Sequence, residues 1–359
     1  MLKVYQKYII DSYIKLLIKI LGIFFILTFL LNIFEEINYF KDTDVNILYP
    51  IILTFLNVPS LLFEILPFIF LVSTQFFFLK LLEANELNIF KVYSLSNIKI
   101  INILNLTNFI LGLIIILFFY NISAKFKFNY LDIKNKYSGD NKYLAVITEN
   151  GLWIKDEFDS SINIINAEKI EDNFLKNVSI LQFNKKYELL KNIESEKIDI
   201  SKNIWLIKNP TIFEDNLNIS TYEEILFQTN FSLDKINSLF SNMASLNFLQ
   251  LYKLKNDYFK LNYSTTEIDA HIQKIIVYPF YLMTMSILSA IIMLNIKHNH
   301  PTIFYLILGI LLSVVIYYIN YFFNLLGKNG NMPIVLATWS PIIIINLFSL
   351  IGLIRINEK

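Results

Sequence analysis

The sequence predicts an α-helical membrane protein with six transmembrane helices and an inserted all-β, jelly-roll-like domain outside the cytoplasm. Three observations predict it. Long apolar runs crowd the first third and the last quarter of the 359 residues. Between them, roughly Ser123 to Asp269, the chain is polar and strand-patterned, with no run long enough to cross a bilayer. Lysines cluster at the flanks of alternate apolar runs, which orients the spans.

A spanning helix needs about 20 mostly apolar residues. Ile100–Ala124, Ile275–Ile296, Pro301–Gly327 and Met332–Ile354 meet this without a charge. Leu16–Phe34 meets it with Lys19 near its start, where the amine reaches the headgroups. Val45 to Leu82 is too long for one span and is interrupted by Pro50, Pro59 and Pro67. The expected reading is an interfacial lead-in, Val45–Val58, followed by a span at Leu61–Leu81. Glu64 falls in that span. A mid-bilayer carboxylate costs about 2.5–3.5 kcal/mol, so Glu64 is expected near an end or against protein.

A seven-helix alternative places a hairpin at Asn57-Val58-Pro59, and charge decides against it. With six spans, Lys3, Lys7, Lys15, Lys19, Lys80, Lys91, Lys99, Lys297, Arg355 and Lys359 all fall on the cytoplasmic side. The first outer loop carries Glu35, Glu36, Asp42 and Asp44 against Lys41. Residues 1–122 then hold three spans, with a cytoplasmic loop at 83–97. Residues 123–269 form the outer domain and its helical return, and 270–359 hold three more spans.

In the outer domain, Leu144–Thr148 and Leu152–Lys155 flank Glu149-Asn150-Gly151, a hairpin signal because both turn positions favour positive φ. Further strands are expected at Ser161–Asn166, Val178–Phe183, Tyr187–Ile193, Lys197–Ser201, Ile204–Lys208 and Ser220–Gln228. About eight short alternating strands point to a sandwich or jelly roll. From Leu233 the period turns helical, through Ile236, Leu239, Phe240, Leu246, Leu249 and Leu254.

Composition excludes several chemistries. The net charge of +1 is too low for a nucleic-acid binder. The chain has no cysteine, so it has no disulfide, thiolate metal site or Cys nucleophile. His298 and His300 read as a hydrated loop rather than a metal site. Acidic residues are scattered without a catalytic pairing. Gly327-Lys328-Asn329 lacks the glycine loop and Ser/Thr of a Walker A motif. The charged loop after the second span is more informative. Asn85 is placed to cap a short helix, Glu86 falls in its first turn, and Leu87 and Phe90 share a face. Such a helix either lies in the headgroups or docks into a cytoplasmic motor.

Specific residues then resemble a known family. They are Tyr8 ahead of the first span, the Pro59…Pro67…Leu71 spacing, Asn85-Glu86-Leu87 and Gly151-Leu152-Trp153-Ile154-Lys155-Asp156. Pro279 and the ending Met332-Pro333…Ala337-Thr338-Trp339-Ser340-Pro341…Arg355 complete the set. Over essentially its whole length the chain resembles the LptF/LptG permeases of the lipopolysaccharide exporter, and Gly-Leu-Trp favours the LptG-like branch. It differs from the family in Ser94, where a glycine closes the loop, and in Asn32, Asn38 and Tyr39, where LptG-like chains carry basic residues.

The resemblance implies a non-enzymatic permease subunit in the inner membrane of a Gram-negative bacterium, with its β domain in the periplasm. It implies an LptF-like (or LptG-like) permease partner, an LptB-type ATPase dimer that binds the ATP and Mg, and a bridge with LptC and LptA. No cofactor is expected in this chain. The candidate ATPase-coupling residues are Glu83, Asn85, Glu86, Leu87 and Phe90. The candidate lipid path runs through Glu35, Lys41, Tyr317, Asn320, Tyr321 and Asn324. The other classes weighed are a membrane-anchored sensor or assembly scaffold and a secondary transporter. The short cytoplasmic loop and the charge-poor spans speak against them.

Overall fold

The computed structural model of the chain describes residues 3–41, 46, 48–137, 152–158, 161–171, 173–202, 204–214, 218–233, 236, 242–260, 263–296 and 301–357. Two compact units make up the chain: Met1–Phe126 with Thr266–Lys359, and Lys127–Thr265.

The first unit is helical. Its elements are α1 (Val4–Tyr39), α2 (Leu48–Glu83), the short α3 (Glu86–Val92) and α4 (Asn97–Ile114). A π-helical turn, Ile115–Tyr120, follows and leads into α5 (Asn121–Tyr137). After the second unit come α7 (Thr266–Leu294), α8 (Thr302–Lys328) and α9 (Ile334–Asn357). Six helical stretches are long and apolar enough to cross a membrane. Where the sequence predicts a lead-in at Val45–Val58 and a separate span, α2 is one helix of 36 residues. At 1.5 Å per residue it is about 54 Å long, well beyond the roughly 30 Å of a hydrocarbon core.

Two prolines, Pro59 and Pro67, lie inside α2. A proline leaves the carbonyl four residues earlier without its helical donor. For Pro67 that carbonyl belongs to Phe63, and the Tyr278 hydroxyl donates to it at 2.5 Å. The Tyr278 and Phe63 rings stack with centroids 4.4 Å apart. A side chain of α7 thus repairs the break, and the helix continues. Glu64 is exposed on this helix, about 24 Å along the axis from Lys80.

Polar contacts tie the helices. Thr74 Oγ1 lies 2.8 Å from the Phe70 carbonyl and 3.2 Å from Ser286 Oγ, and Tyr13 Oη lies 3.4 Å from Thr74. Asn108 donates to Ser286, which brings in α4. Gln75 donates to the Tyr305 carbonyl of α8 at 3.0 Å. Gly309 makes room for it, because a Cβ there would lie 2.0 Å from the Gln75 amide nitrogen. Gly112 lets α4 approach α7 closely: a Cβ would lie 2.8 Å from Pro279 Cα.

The second unit contains the predicted all-β domain. Its strands are β1 (Leu152–Phe158), β2 (Ser161–Glu171), β3 (Phe174–Asn184), β4 (Leu189–Asp199), β5 (Ile204–Lys208), β6 (Thr211–Glu214), β7 (Asn218–Thr221) and β8 (Glu224–Gln228). All pair antiparallel, in the order β1-β2-β3-β4-β5-β8. Strand β6 pairs with β4 at Lys191–Glu194 and with β7, while β5 pairs with β4 further along, at Lys197–Asp199. The second edge of β4 therefore splits between two neighbours.

Some strand boundaries differ from expectation. Most of Tyr187–Ile193 and Lys197–Ser201 joins into β4, because the ladder with β3 continues through the polar Glu194-Ser195-Glu196 stretch, with Val178 opposite Ser195 and Ser179 opposite Glu194; Ser195 adds contacts of its own. Its Oγ accepts the Lys197 amide at 3.2 Å and lies 2.6 Å from the Lys208 carbonyl. The Ser220–Gln228 run divides at Tyr222-Glu223, and β6 is additional. Leu144–Thr148 and the Asn150-Gly151 turn lie outside the described residues, as do Leu239, Phe240, His298 and His300. In the helical return, α6 (Phe248–Lys260) buries Leu251 and Leu254 but leaves Leu249 exposed.

The sheet curls so that its two ends meet. Asp156 on β1 is fully buried and accepts from Thr229 Oγ1 at 2.6 Å, from the Asn230 amide at 3.2 Å and from Asn230 Nδ2 at 2.8 Å. Those partners directly follow β8, at the other end of the strand order. Trp205, also fully buried, donates to the Phe231 carbonyl at 2.8 Å. On the outer edge of β1, the Tyr263 hydroxyl donates to the Lys155 carbonyl and accepts its amide. Burial pushes the Tyr263 phenol up to about 12, which keeps this donor neutral.

Two outcomes follow. Tyr278→Phe strands the Phe63 carbonyl and is expected to cost about 1–3 kcal/mol, read as a lower thermal midpoint in detergent. Asp156→Ala leaves buried donors unpaired and is expected to cost about 3 kcal/mol or more, read as faster hydrogen exchange of β1 amides in the full chain.

Candidate functional site

The loop between α2 and α4 is built by two residues in the left-handed region. Asn85 has φ +55 and turns the chain from α2 into α3. Asparagine tolerates this conformation better than most residues. The expected side-chain cap is absent: Asn85 instead accepts from Asn88 Nδ2 through its own side chain. At the other end Ser94 has φ +60. The Ser94 amide bonds the Lys91 carbonyl and the Leu95 amide bonds the Phe90 carbonyl, both at 2.9 Å. This pair of bonds is the Schellman closure of a helix. Ser94 holds the position where glycine is favoured, at a cost of about 1–2 kcal/mol.

Helix α3 is seated on one side and open on the other. Leu87 is buried, and Phe90 is partly covered by the Tyr8 ring, edge-on at 6.4 Å. Glu86 accepts from the Tyr8 hydroxyl at 2.9 Å through both carboxylate oxygens. Glu83, at the end of α2, is exposed. Ile89, Val92 and Tyr93 are exposed by 52%, 81% and 76%, an apolar outer face on a helix of only two turns. The sequence marks Tyr8 as a family feature, but no local pattern pairs residue 8 with residue 86.

The second group of candidates lies on α8. Tyr317 and Tyr321 are exposed, and Asn320 and Asn324 are half-buried beside them. Spacing of three and four residues puts all four on one face. Both asparagines donate to carbonyls one turn back, Ile316 and Asn320, which keeps their amides satisfied in an apolar setting. At the far end of α1, Glu35 is exposed and accepts from Asn32 at 3.2 Å. Asn32 in turn accepts from Asn57 of α2, also at 3.2 Å. Lys41 is exposed just past α1, while Asp42 and Asp44 lie outside the described residues. Among the described residues, no hydrogen bond or ion pair joins Glu35 or Lys41 to the α8 stripe. Helices α1 and α8 are the least covered of the spanning set, with 17% and 22% of their apolar windows buried.

Comparison with known proteins decides what this architecture is. The family model described as the lipopolysaccharide export system permease LptF/LptG matches residues 7–355. The chain belongs to this permease family. Comparison with curated proteins gives no match. The chain is thus a multi-pass permease of lipopolysaccharide export. The match spans both units, from the turn that carries Tyr8 to Arg355. Within the permease, Ser94→Gly is expected to raise the thermal midpoint, because it removes the left-handed penalty, and Ser94→Val to lower it. Paired melting curves in one detergent measure both.

Proposed function

We propose that the chain is the LptG-like permease subunit of an ATP-driven exporter. It takes lipopolysaccharide from the outer leaflet of the inner membrane and passes it to a periplasmic jelly-roll bridge. The observation that carries this reading is α3: a short, ordered helix with an apolar outer face and a carboxylate at its first position. It fits a docking element for an LptB-type ATPase dimer, which binds the ATP and Mg.

Contacts at the helix ends support the sidedness. Lys80 at the end of α2 donates to Ser12 near the start of α1, and Tyr8 reaches Glu86. One end of the unit therefore collects Lys3, Lys7, Lys15, Lys80, Lys91 and Lys99, which the positive-inside rule assigns to the cytoplasm. The long sequence between α5 and α7 then lies in the periplasm, where it serves the bridge with LptC and LptA.

The physics of the cargo fits an enclosed path. Exposing acyl chains to water costs about 0.8 kcal/mol per CH₂. A second permease chain, LptF-like, packed near α1 and α8 would close a cavity over the Tyr317–Asn324 stripe and cover these poorly buried helices. Lipid enters laterally beside them, and Lys41 meets its phosphates at the outer end of α1, beside Glu35. Motion at α3 collapses the cavity, and ATP gives the transfer its direction.

Glu86→Lys puts a cation against the ATPase surface and the Tyr8 hydroxyl. In proteoliposomes with the partner chains, lipopolysaccharide-stimulated ATP hydrolysis is expected to fall about tenfold while membrane insertion stays intact. Unchanged stimulation removes the assignment of α3.

A further inference from the structure

The proposed role of α3 leaves open how its movement reaches the rest of the permease, and the first turns of α1 supply an answer. Tyr8 Oη lies 2.9 Å from Oε1 and 2.9 Å from Oε2 of Glu86, so the hydroxyl sits astride the carboxylate. A hydrogen bond to an ionised oxygen is about twice as strong as a neutral one. The same ring meets Phe90 edge-on, with an interplanar angle of 63°. Glu86 and Phe90 are four residues apart and share a face of α3, so one side chain of α1 holds that face at two points. One turn further along α1, Ser12 accepts from Lys80 at 3.1 Å. Tyr8 and Ser12 are themselves four residues apart. A single stripe of α1 therefore grips both the last turn of α2 and the first turn of α3.

The burial of α1 makes this stripe mechanically significant. Its buried residues are Ile9, Ser12, Tyr13, Leu17 and Ile20 near one end, and Asn32 and Glu36 near the other. Between them Ile23, Ile26, Leu27, Leu30 and Leu31 are exposed. The helix is anchored where it meets α3 and open along its middle. A displacement delivered at α3 therefore enters α1 at its held end.

We infer that Tyr8 is a positioning residue for coupling: it orients the Glu86 carboxylate and clamps α3 to α1, so that the two helices move together. This rests on the reading of α3 as the ATPase contact. Tyr8 touches neither nucleotide nor lipid in this account.

The test uses the whole transporter, this chain with its permease partner and ATPase, in proteoliposomes containing lipopolysaccharide. The readout is lipid extracted per ATP hydrolysed, for wild type, Tyr8→Phe, Glu86→Gln, the double variant and Glu86→Lys. Tyr8→Phe keeps the ring against Phe90 and loses only the hydroxyl. It is expected to lower the ratio by about three- to tenfold, with Glu86→Gln lowering it by a similar factor. The double variant is expected to match the worse single variant within about twofold, because both changes remove one interaction. A Tyr8→Phe ratio within about twofold of wild type overturns the inference, and so does a double variant equal to the product of the singles. A misfolded variant lowers extraction and hydrolysis together and leaves the ratio unchanged, which also counts against it. Glu86→Lys separates the two claims. If its ratio and its stimulation are normal, the α3 reading itself fails, whatever Tyr8→Phe does. If Glu86→Lys is uncoupled and Tyr8→Phe is not, only the Tyr8 inference falls.

Discussion

A hydrocarbon core has no water to satisfy a polar atom, so the backbone groups of a spanning helix must be answered by the protein itself. Much of the unit follows from this. Pro67 frees the Phe63 carbonyl, and Tyr278 answers it from α7. Ser289 of α7 also donates to the Leu71 carbonyl, two turns further along α2, where no proline intervenes. Thr74, Ser286 and Asn108 join α2, α7 and α4 through hydroxyl and amide contacts. Apolar side chains alone would not fix these neighbours, since lipid tails are as apolar as leucine. The polar contacts choose which helices touch, and small residues such as Gly112 and Gly309 let them come close.

The least covered of the spanning helices are α1 and α8, although both are tied by polar contacts: Tyr13 and Asn32 of α1 meet Thr74 and Asn57 of α2, and Gln75 of α2 donates to a carbonyl of α8. Their apolar faces are largely uncovered. In α8 both asparagines donate to carbonyls of their own helix, and Asn320 also hydrogen-bonds the Tyr281 side chain of α7. The backbone of α2 is further repaired by a side chain of α7.

The β domain solves a different problem. A sheet has two free edges, and unpaired edge groups invite unwanted pairing. Here the Tyr263 hydroxyl occupies the outward amide and carbonyl of Lys155, and Asn230 Nδ2 donates to the Glu157 carbonyl. Asp156 brings the segment after β8 to the same strand. The edge at β1 is closed from within, by residues more than 70 positions away in sequence.

The sequence by itself determined the number of spans, the inserted all-β domain, most of its strands, and a short helix beginning at Glu86. Each is a local sum: twenty apolar residues, alternation over a few positions, or a polar residue before a helical run. At Ser94 the sequence showed only a departure from the family's glycine, and the structure decided that the serine itself takes the left-handed conformation. Only the tertiary structure decided that α2 runs through two prolines, that pairing with β3 keeps β4 whole, and that Leu251 rather than Leu249 is buried. The same holds for the closure at Asp156 and the grip of Tyr8 on Glu86. These depend on a partner far along the chain, and hydropathy and periodicity carry no information about which distant residue will stand opposite. A proline reads as a break until the tyrosine that repairs it is in place.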